Sequence, residues 1–345
     1  MRGGAAAEQN IKFQCKVKNL IGEKITQAGK PKVQVKYKVM RSEKLDYWSQ
    51  KGTYLKVGPF KHQVFYQDYG REQASADDTL LLLHGFPESS YSYHKVINGL
   101  AKQFKRIVVF DMLGYGLSDK PAENYTYSLF EQADVALQVW KHLGITGGHL
   151  LSHDMGDSVS TELVTREVQG ILPAWFSGGF QSYTFTNGSM VLDLAKLRIT
   201  QKILLSKRGH WMSKLSTFKI FDQQVRSAHG NTKLSDQDIA LLWENVQQQD
   251  GHRKNHLMIK YLNDRKRFEK TRWLPHLALT KVPVHLCWGD ADAVARVEMA
   301  KYLKEHICKK AQLTIMEGVG HFCQLGSPDI WVDSVVGFYR KVISD

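Results

Sequence analysis

Residues 152–157 read Ser-His-Asp-Met-Gly-Asp and join an apolar run to a segment with helical spacing that extends to Val168. A strand that turns directly into a helix needs small side chains around the turn, and Ser152 and Gly156 supply them. Such a turn presents its central side chain, here Asp154, above the edge of a sheet. A carboxylate in that place can attack carbon and form an ester. An aspartate at a helix start is by itself more often a capping residue, so the rest of the chain must decide.

Two further polar side chains follow apolar runs downstream. Asp292 comes after the run 284–288, and His321 comes after the run 312–316. The order nucleophile, acid, histidine along the chain is that of the α/β-hydrolase triad. In this arrangement His321 activates water against an ester, and Asp292 fixes the tautomer of the imidazole. Asp290 is an alternative for the acid, although the spacing favours Asp292.

An upstream segment, His-Gly-Phe-Pro at 84–87, ends the apolar run 79–84. In the α/β-hydrolase fold the residue after this glycine donates one backbone N–H to the oxyanion hole, and the residue after the nucleophile donates the other. Here these residues are Phe86 and Met155. Each such donor stabilises an oxyanion by a few kcal/mol. The alternative interpretation of the segment is an ordinary turn at the end of a strand.

Strand-type and helix-type segments alternate on both sides of a gap in the pattern. Strand-type runs occur twice within 52–69 and once each at 79–84, 106–111, 147–152, 282–288 and 312–316, while helical spacing marks 130–143, 156–168 and 330–342. Such alternation predicts an α/β fold, with a mostly parallel sheet and helices on both faces. Residues 178–275 are polar and helix-rich, without the pattern of a buried strand. We therefore expect a core of residues 46–177 and 276–345, a helical cap of residues 178–275 and a separate arm of residues 1–45.

The composition is that of an ordinary globular protein. The chain has 345 residues, is 43% hydrophobic and carries a formal charge of +13. These values exclude collagen-like, coiled-coil and disordered classes. The four cysteines form no CxxC pair, so neither a disulfide scaffold nor a zinc site is predicted, and no cofactor or metal is expected. Reduced thiols predict an intracellular protein. The lack of any apolar run near the ~20 residues of a membrane helix predicts a soluble or peripheral one.

The arm at residues 1–45 is strongly basic. It holds eleven Lys/Arg and three acidic residues, a net charge of +8. Such charge suggests contact with nucleic acid or with an anionic membrane. The alternative is a solvated arm in which residues 32–39 alternate like one half-buried strand. No nucleic-acid-binding motif accompanies the charge, so nucleic-acid binding is not expected, and peripheral contact of residues 1–45 with an anionic membrane is kept as a hypothesis.

Longer motifs carry a family resemblance. HGFPESSYSYHKV at 84–96, FDMLGYGLSDKP at 110–121 and SHDMGDSV at 152–159 resemble the epoxide hydrolase and haloalkane dehalogenase branch of the α/β-hydrolases. Within that branch, YSLFEQA at 127–133 and QQDGHRKNHLMIKYLNDRKRFEKTRW at 248–273 are most similar to the mesoderm-specific transcript family of animals. The resemblance implies a capped, cofactor-free hydrolase in lipid metabolism, cytoplasmic or peripheral at the endoplasmic reticulum membrane.

Departures from the branch narrow the expected chemistry. Haloalkane dehalogenases commonly hold halide with Trp or Asn where this chain has Met155 and Phe86, whose side chains offer no N–H, so dehalogenation is disfavoured. Epoxide hydrolases protonate the epoxide oxygen with two cap tyrosines. Tyr261 matches the second of these, with a core aromatic as its alternative, and Tyr183 is a candidate for the first. Asp157 replaces a small residue of the turn, where it either caps the helix or raises the pKa of the nucleophile.

These observations predict a hydrolase with an Asp-His-Asp triad. Its expected substrate is a small lipophilic epoxide, opened through an alkyl-enzyme ester on Asp154. The alternative is a non-catalytic or weakly active homologue that binds a lipid or a protein through the cap pocket. Covalent chemistry at Asp154 separates the two hypotheses, because a binding protein needs no ester.

Overall fold

The computed structural model describes residues 41–70, 73–195 and 197–344. Its strands are β1 (Thr53–Val57), β2 (His62–Gly70), β3 (Thr79–Leu83), β4 (Arg106–Phe110), β5 (Gly147–His153), β6 (Gly179–Thr186), β7 (Val284–Gly289) and β8 (Gln312–Met316). Together they form one sheet with the order β1-β2-β4-β3-β5-β6-β7-β8. Strand β2 is antiparallel to β1 and β4, and the other neighbours are parallel. The predicted α/β class with a mostly parallel sheet is confirmed.

Helices surround this sheet and form the segment inserted after β6. They are α1 (Glu43–Gln50), α2 (Ile97–Leu100), α3 (Leu129–His142), α4 (Met155–Val168), α5 (Ile199–Leu205), α6 (Gly209–Lys214), α7 (Phe218–His229), α8 (Asp236–Gln247), α9 (Asn255–Met258), α10 (Tyr261–Phe268), α11 (Leu274–Leu279), α12 (Val297–Tyr302), α13 (Cys323–Gly326) and α14 (Pro328–Ser344).

Both faces of the sheet are covered. In β3 the side chains of Leu81 and Leu83 join one apolar cluster, which includes Trp140 of α3. The alternate residues Leu80 and Leu82 join a second cluster with Trp331 of α14. Successive side chains of a strand point to opposite faces, so a strand buried on both sides is apolar throughout. This is why the run at 79–84 was recognisable as a central strand.

The prediction that residues 178–275 lack a buried strand is wrong for β6. This strand, Gly179–Thr186, pairs in parallel with both β5 and β7. Its sequence GFQSYTFT places the buried hydroxyls of Ser182 and Thr184 among aromatic residues, which broke the apolar pattern. The inserted helical segment therefore begins after Thr186, and its described helices are α5 to α10.

The predicted end of the basic arm at residue 45 is also wrong. The Ser42 side chain accepts a hydrogen bond from the Leu45 N–H and caps α1, while Leu45 is fully buried. The Ser42 N–H donates to the Glu244 carboxylate of α8 over 2.6 Å. Residues 41–45 thus pack against the globular structure. The rest of the arm, with the predicted strand at 32–39, lies outside the described residues.

Candidate active site

Asp154 stands at the turn between β5 and α4. Its backbone has φ 48° and ψ −109°, a conformation that costs a residue with a side chain about 1–3 kcal/mol. Gly85 and Gly156 allow this turn and the segment after β3 to approach each other closely. A Cβ on Gly156 would lie 2.6 Å from the Leu83 carbonyl oxygen, and one on Gly85 would lie 2.7 Å from the Cβ of Asp154. The strained turn places a largely buried carboxylate at the carboxyl edge of the sheet.

The two oxygens of the Asp154 carboxylate have different neighbours. Oδ2 accepts a hydrogen bond from the Phe86 N–H over 2.9 Å. Oδ1 lies 3.9 Å from Nε2 of His321. The backbone carbonyl of Asp154 accepts a hydrogen bond from Nη2 of Arg265 over 3.3 Å. One oxygen is thus held by a backbone donor at the predicted oxyanion hole, and the other faces the imidazole.

Met155 supplies the second amide of the predicted oxyanion hole. It is the first residue of α4 and is buried. Its sulfur accepts a hydrogen bond from the Tyr115 hydroxyl over 3.2 Å, which fixes the side chain beside the turn. The role of its amide stays a prediction.

His321 is oriented by a carboxylate that is itself fully bonded. Its Nδ1 lies 2.8 Å from Oδ2 of Asp292. The same oxygen accepts a hydrogen bond from Nδ2 of Asn187 over 2.7 Å. Oδ1 of Asp292 accepts from the N–H groups of Val294 and Ala295, at 2.6 and 3.0 Å. These bonds fix the carboxylate, and through it the imidazole, before any substrate arrives.

The geometry separates the two aspartates considered for the acid. Asp290 is exposed, and its Oδ1 accepts a hydrogen bond from the Gly318 N–H over 2.7 Å. Asp292 is the one beside His321. Burial lowers the pKa of His321, but the neighbouring Asp292 and Asp154 carboxylates outweigh it, so the pKa is raised above its ordinary value. The imidazolium form is therefore stabilised at this position.

A second ion pair lies directly beneath His321. Nδ1 of His153 is 2.7 Å from Oε1 of Glu88, and both side chains are completely buried. Nε2 of His153 lies 2.8 Å from the His321 carbonyl oxygen, while Oε2 of Glu88 accepts from Nε2 of Gln324 over 2.7 Å. The two ring nitrogens of His153 thus face the Glu88 carboxylate and the His321 carbonyl oxygen, an arrangement that favours the imidazolium. Burial opposes each charge, but the partner outweighs it, so the pKa of His153 is raised well above and that of Glu88 falls below its usual value.

Replacing Glu88 by glutamine is expected to destabilise the fold by roughly 3 kcal/mol at pH 5.5, because a buried imidazolium loses its counter-charge. The raised pKa of His153 means that its contribution is complete below about pH 6.5 and fades as pH rises through the folded-state value. The lowered pKa of Glu88 means that its contribution is present above about pH 4.3 and fades as pH falls. Urea unfolding should therefore show a larger deficit at pH 5.5 than at pH 9.

The exposed pair Lys270–Asp193 provides the control, because both side chains are mostly solvated. Asp193→Asn should leave the unfolding midpoint nearly unchanged at both pH values. An equal deficit for Glu88→Gln at pH 5.5 and 9 would contradict a charged pair.

The Asp157 carboxyl stabilises the turn at Asp154 through two hydrogen bonds. Its Oδ1 accepts hydrogen bonds from the Ser152 hydroxyl over 2.6 Å and from the Thr186 N–H over 3.3 Å. Complete burial raises the pKa of this carboxyl well above its usual value, which favours the uncharged acid. This direction argues against a second negative charge beside Asp154. The carboxyl instead joins β5 to the end of β6.

The two candidate tyrosines have different surroundings. Tyr261 begins α10 and lines the same cavity as Asp154 and His321. Burial and the Asp154 charge raise its pKa, so the phenol keeps its proton. Tyr183 lies on β6, where its hydroxyl donates to Oε2 of Glu167 over 2.6 Å. The prediction of Tyr183 as a second acid is wrong, because its hydroxyl is bonded within the core and it is absent from the described residues that line the cavity.

The cavity above Asp154 has an empty volume of about 1010 Å³, part of it open to solvent. Its apolar lining comes largely from the inserted segment and includes Leu192, Ala195, Leu197, Leu204, Phe221 and Val225. Arg265 also lines it, with Nε donating to the Ser158 hydroxyl over 2.7 Å and the guanidinium 4.8 Å from the centre of the Tyr261 ring. Within the described ranges no group of three or more His, Cys, Asp or Glu is arranged to hold a metal.

Sequence reasoning missed the pair Glu88–His153, and it also missed Asn187 and Arg265. Asn187 follows a strand that was not recognised, so its position beside Asp292 could not be foreseen. Arg265 is four residues after Tyr261 on one helix, and that spacing alone places the two side chains on the same face.

Comparison with known proteins identifies the family. Residues 78–328 match the model described as alpha/beta hydrolase fold. The chain belongs to the α/β-hydrolase fold family. Over 310 residues it is 30% identical to the mesoderm-specific transcript homolog protein of Bos taurus, a match that covers 87% of this chain and 89% of that protein. This places the α/β-hydrolase in the mesoderm-specific transcript family, and the predicted resemblance is confirmed.

Two further comparisons are more distant. The α/β-hydrolase is 25% identical to epoxide hydrolase 4 of Mus musculus over 274 residues, covering 76% of this chain and 72% of that protein. The crystal structure of haloalkane dehalogenase DbeA from Bradyrhizobium elkani USDA94 superposes with a TM-score of 0.69 at 20% identity, covering 85% of this chain and 98% of that one. The second likeness shows the fold alone. Family membership and the hydrolase-named relative together support a hydrolase.

Proposed function

We propose that this α/β-hydrolase opens lipophilic epoxides through an ester on Asp154. The observation that carries the proposal is the placement of Oδ2 on the Phe86 amide while Oδ1 faces His321 under an apolar cavity. A carboxylate nucleophile suits attack at a saturated carbon. Similarity to epoxide hydrolase 4 supports an epoxide as the electrophile.

In the first step Oδ1 of Asp154 attacks one epoxide carbon, and the bond from that carbon to the epoxide oxygen breaks. The Tyr261 hydroxyl gives its proton to the departing oxygen, which becomes an alcohol. Oδ2 becomes the carbonyl oxygen of the ester and stays at the Phe86 N–H. The raised pKa of Tyr261 keeps the proton available until negative charge develops on the oxygen.

In the second step His321 takes a proton from water through Nε2, and the resulting hydroxide attacks Cγ of the ester. The oxyanion on Oδ2 is stabilised by the Phe86 amide and, as predicted, by that of Met155. Cleavage of the bond between Cγ and the alkyl oxygen releases the diol, whose new hydroxyl takes the proton from His321. Asp154 is left as a carboxylic acid that carries the second proton of the water. Transfer of this proton to the Tyr261 phenolate restores both side chains, with one water consumed.

The decisive experiment is mass spectrometry after incubation with styrene oxide, trans-stilbene oxide and 9,10-epoxystearate. We expect an adduct on the peptide that contains Asp154, and no adduct in Asp154→Asn. In H₂¹⁸O the label should enter the Asp154 carboxylate in a single turnover, because water attacks Cγ. A folded protein that gives neither adduct nor label with any of these epoxides would overturn the proposal and favour a non-catalytic binding protein.

Replacing Tyr261 by phenylalanine is expected to slow ester formation by about 10²-fold, because the departing oxygen loses its acid. Stopped-flow measurement of the single-turnover rate isolates this step. Tyr183→Phe is the matched control, since it removes a hydroxyl bonded to Glu167, and its rate should stay within about twofold. Equal rates for the two variants would contradict the role of Tyr261.

A further inference from the structure

Helices α5 and α6 expose large apolar side chains. Ile199, Trp211 and Leu215 are 76%, 67% and 66% exposed, respectively. Together with Ile203 and Met212 they line one shallow groove. These five residues are called the cap patch below. Water contact over so many neighbouring apolar side chains is unfavourable, which marks the surface as a contact site.

The cap patch adjoins the cavity above Asp154 through α5. On one face of this helix, Ile199 and Ile203 belong to the groove. On another face, Thr200 and Leu204 line the cavity. Residues four apart in a helix share a face, so the two sets alternate along α5. A single helix thus separates the exposed apolar surface from the substrate cavity.

The cap patch is surrounded by positive charge without acidic partners. Residues 194–221 contain seven Lys/Arg and no Asp or Glu. Lys202 and Arg208 line the groove itself, and Nζ of Lys214 lies 5.3 Å from the centre of the Trp211 ring. Across the described part of the chain, ion pairs do not include Lys202, Lys207, Arg208, Lys214 or Lys219.

We propose that the cap patch docks on the surface of an anionic phospholipid bilayer, with Trp211 and Leu215 at the level of the headgroups and upper acyl chains. Exposed tryptophan and aliphatic side chains among lysines are the pattern of interfacial membrane binding. A protein partner fits less well, since lysine is depleted at protein interfaces. Among the described residues no helix is long and apolar enough to cross a bilayer.

This docking gives the cavity direct access to molecules dissolved in the bilayer. Leu197 and Leu204 line the cavity from the segment that carries the cap patch. A lipophilic molecule could enter past them from the acyl region with little exposure to water. The membrane contact itself does not depend on the proposed epoxide chemistry.

The test is co-sedimentation of the full chain with vesicles of phosphatidylcholine, alone or with 30% phosphatidylserine, in 0.15 M salt. Trp211→Ser/Leu215→Ser should lower the partition coefficient on the mixed vesicles at least tenfold. The control Ile171→Ser/Leu279→Ser alters side chains outside the segment that are 58% and 64% exposed, and should change it less than twofold. Residues 1–45 are present in every variant, so their contribution is constant.

A second pair of variants tests the charges. Lys207→Gln/Lys214→Gln should lower binding to the mixed vesicles at least threefold, and more than Lys102→Gln/Lys301→Gln, which removes the same charge from exposed sites outside the segment. Circular dichroism and thermal melting establish that each variant is folded.

Three outcomes would overturn the docking proposal. The first is a wild-type chain that binds neither vesicle, and the second is a Trp211→Ser/Leu215→Ser variant that binds as well as wild type. The third is cross-linking of the cap patch to an acidic protein without vesicle binding, which would assign the surface to a protein partner. None of these depends on ester formation at Asp154, so failure of the docking and failure of the epoxide hydrolysis are distinguishable.

Discussion

Asp154→Asn should lower kcat/KM for epoxide opening by about 10⁴-fold or more, because the amide cannot replace the carboxylate as nucleophile. The substitution keeps the size of the side chain and leaves an oxygen that can accept from the Phe86 N–H. Binding of substrate should therefore change little. Initial rates across a range of epoxide concentrations separate the loss in kcat from any change in KM.

Asp157→Asn is the matched control for this variant. Asp157 lies three residues on and is completely buried, and burial raises the pKa of its carboxyl well above its usual value. An amide oxygen can accept the hydrogen bonds from Ser152 and Thr186. Activity within about tenfold of wild type is expected. If Asp157→Asn lost as much activity as Asp154→Asn, the assignment of Asp154 as nucleophile would fail.

The parts of the fold that could be predicted are those in which local pattern and tertiary environment agree. Strands β3 and β4 are buried on both faces, so they contain continuous apolar runs at 80–83 and 107–110. Strand β6 could not be found in this way. It is equally central, but it buries Thr184 and Ser182, whose hydroxyl lies 2.7 Å from Nδ1 of His149, as well as aromatic residues.

Some residues of the candidate site could likewise be predicted from the sequence, and others could not. Asp154, Asp292 and His321 could be chosen because each follows a predicted strand, and the carboxyl ends of parallel strands share one edge of a sheet. The pair Glu88–His153 could not be chosen. Glu88 follows β3 and His153 ends β5. The two residues meet only because these strands are neighbours in the sheet.

The inserted segment shows a different limit. Its helical and polar character was predicted, but the face of each helix on which the charged and apolar side chains lie was not. In α5 the two kinds of side chain lie on different faces, so Leu204 lines the cavity while Ile199 is exposed. Sequence similarity also gave a wrong role for Tyr183. This residue lies on β6, a strand of the central sheet that the sequence did not predict.

His321→Gln is expected to slow hydrolysis of the Asp154 ester by about 10³–10⁴-fold while ester formation slows much less, since only the second step needs a base. One equivalent of covalent adduct per chain should then accumulate and persist for hours. His142→Gln, at an exposed histidine of α3, is the control and should show wild-type turnover. Rapid loss of the adduct in His321→Gln would require another base.

The pH dependence of that second step follows from the same geometry. His321 must be neutral to accept a proton, so the rate of ester hydrolysis rises with pH through its pKa. In the free enzyme Asp292 and Asp154 outweigh burial and raise that pKa. Esterification removes the negative charge of Asp154, and the pKa of His321 should fall. The apparent pKa of single-turnover ester hydrolysis should therefore be lower than the pKa of His321 in the free enzyme, which NMR titration measures. If the two pKa values were equal, the charge of Asp154 would have no effect on the pKa of the imidazole.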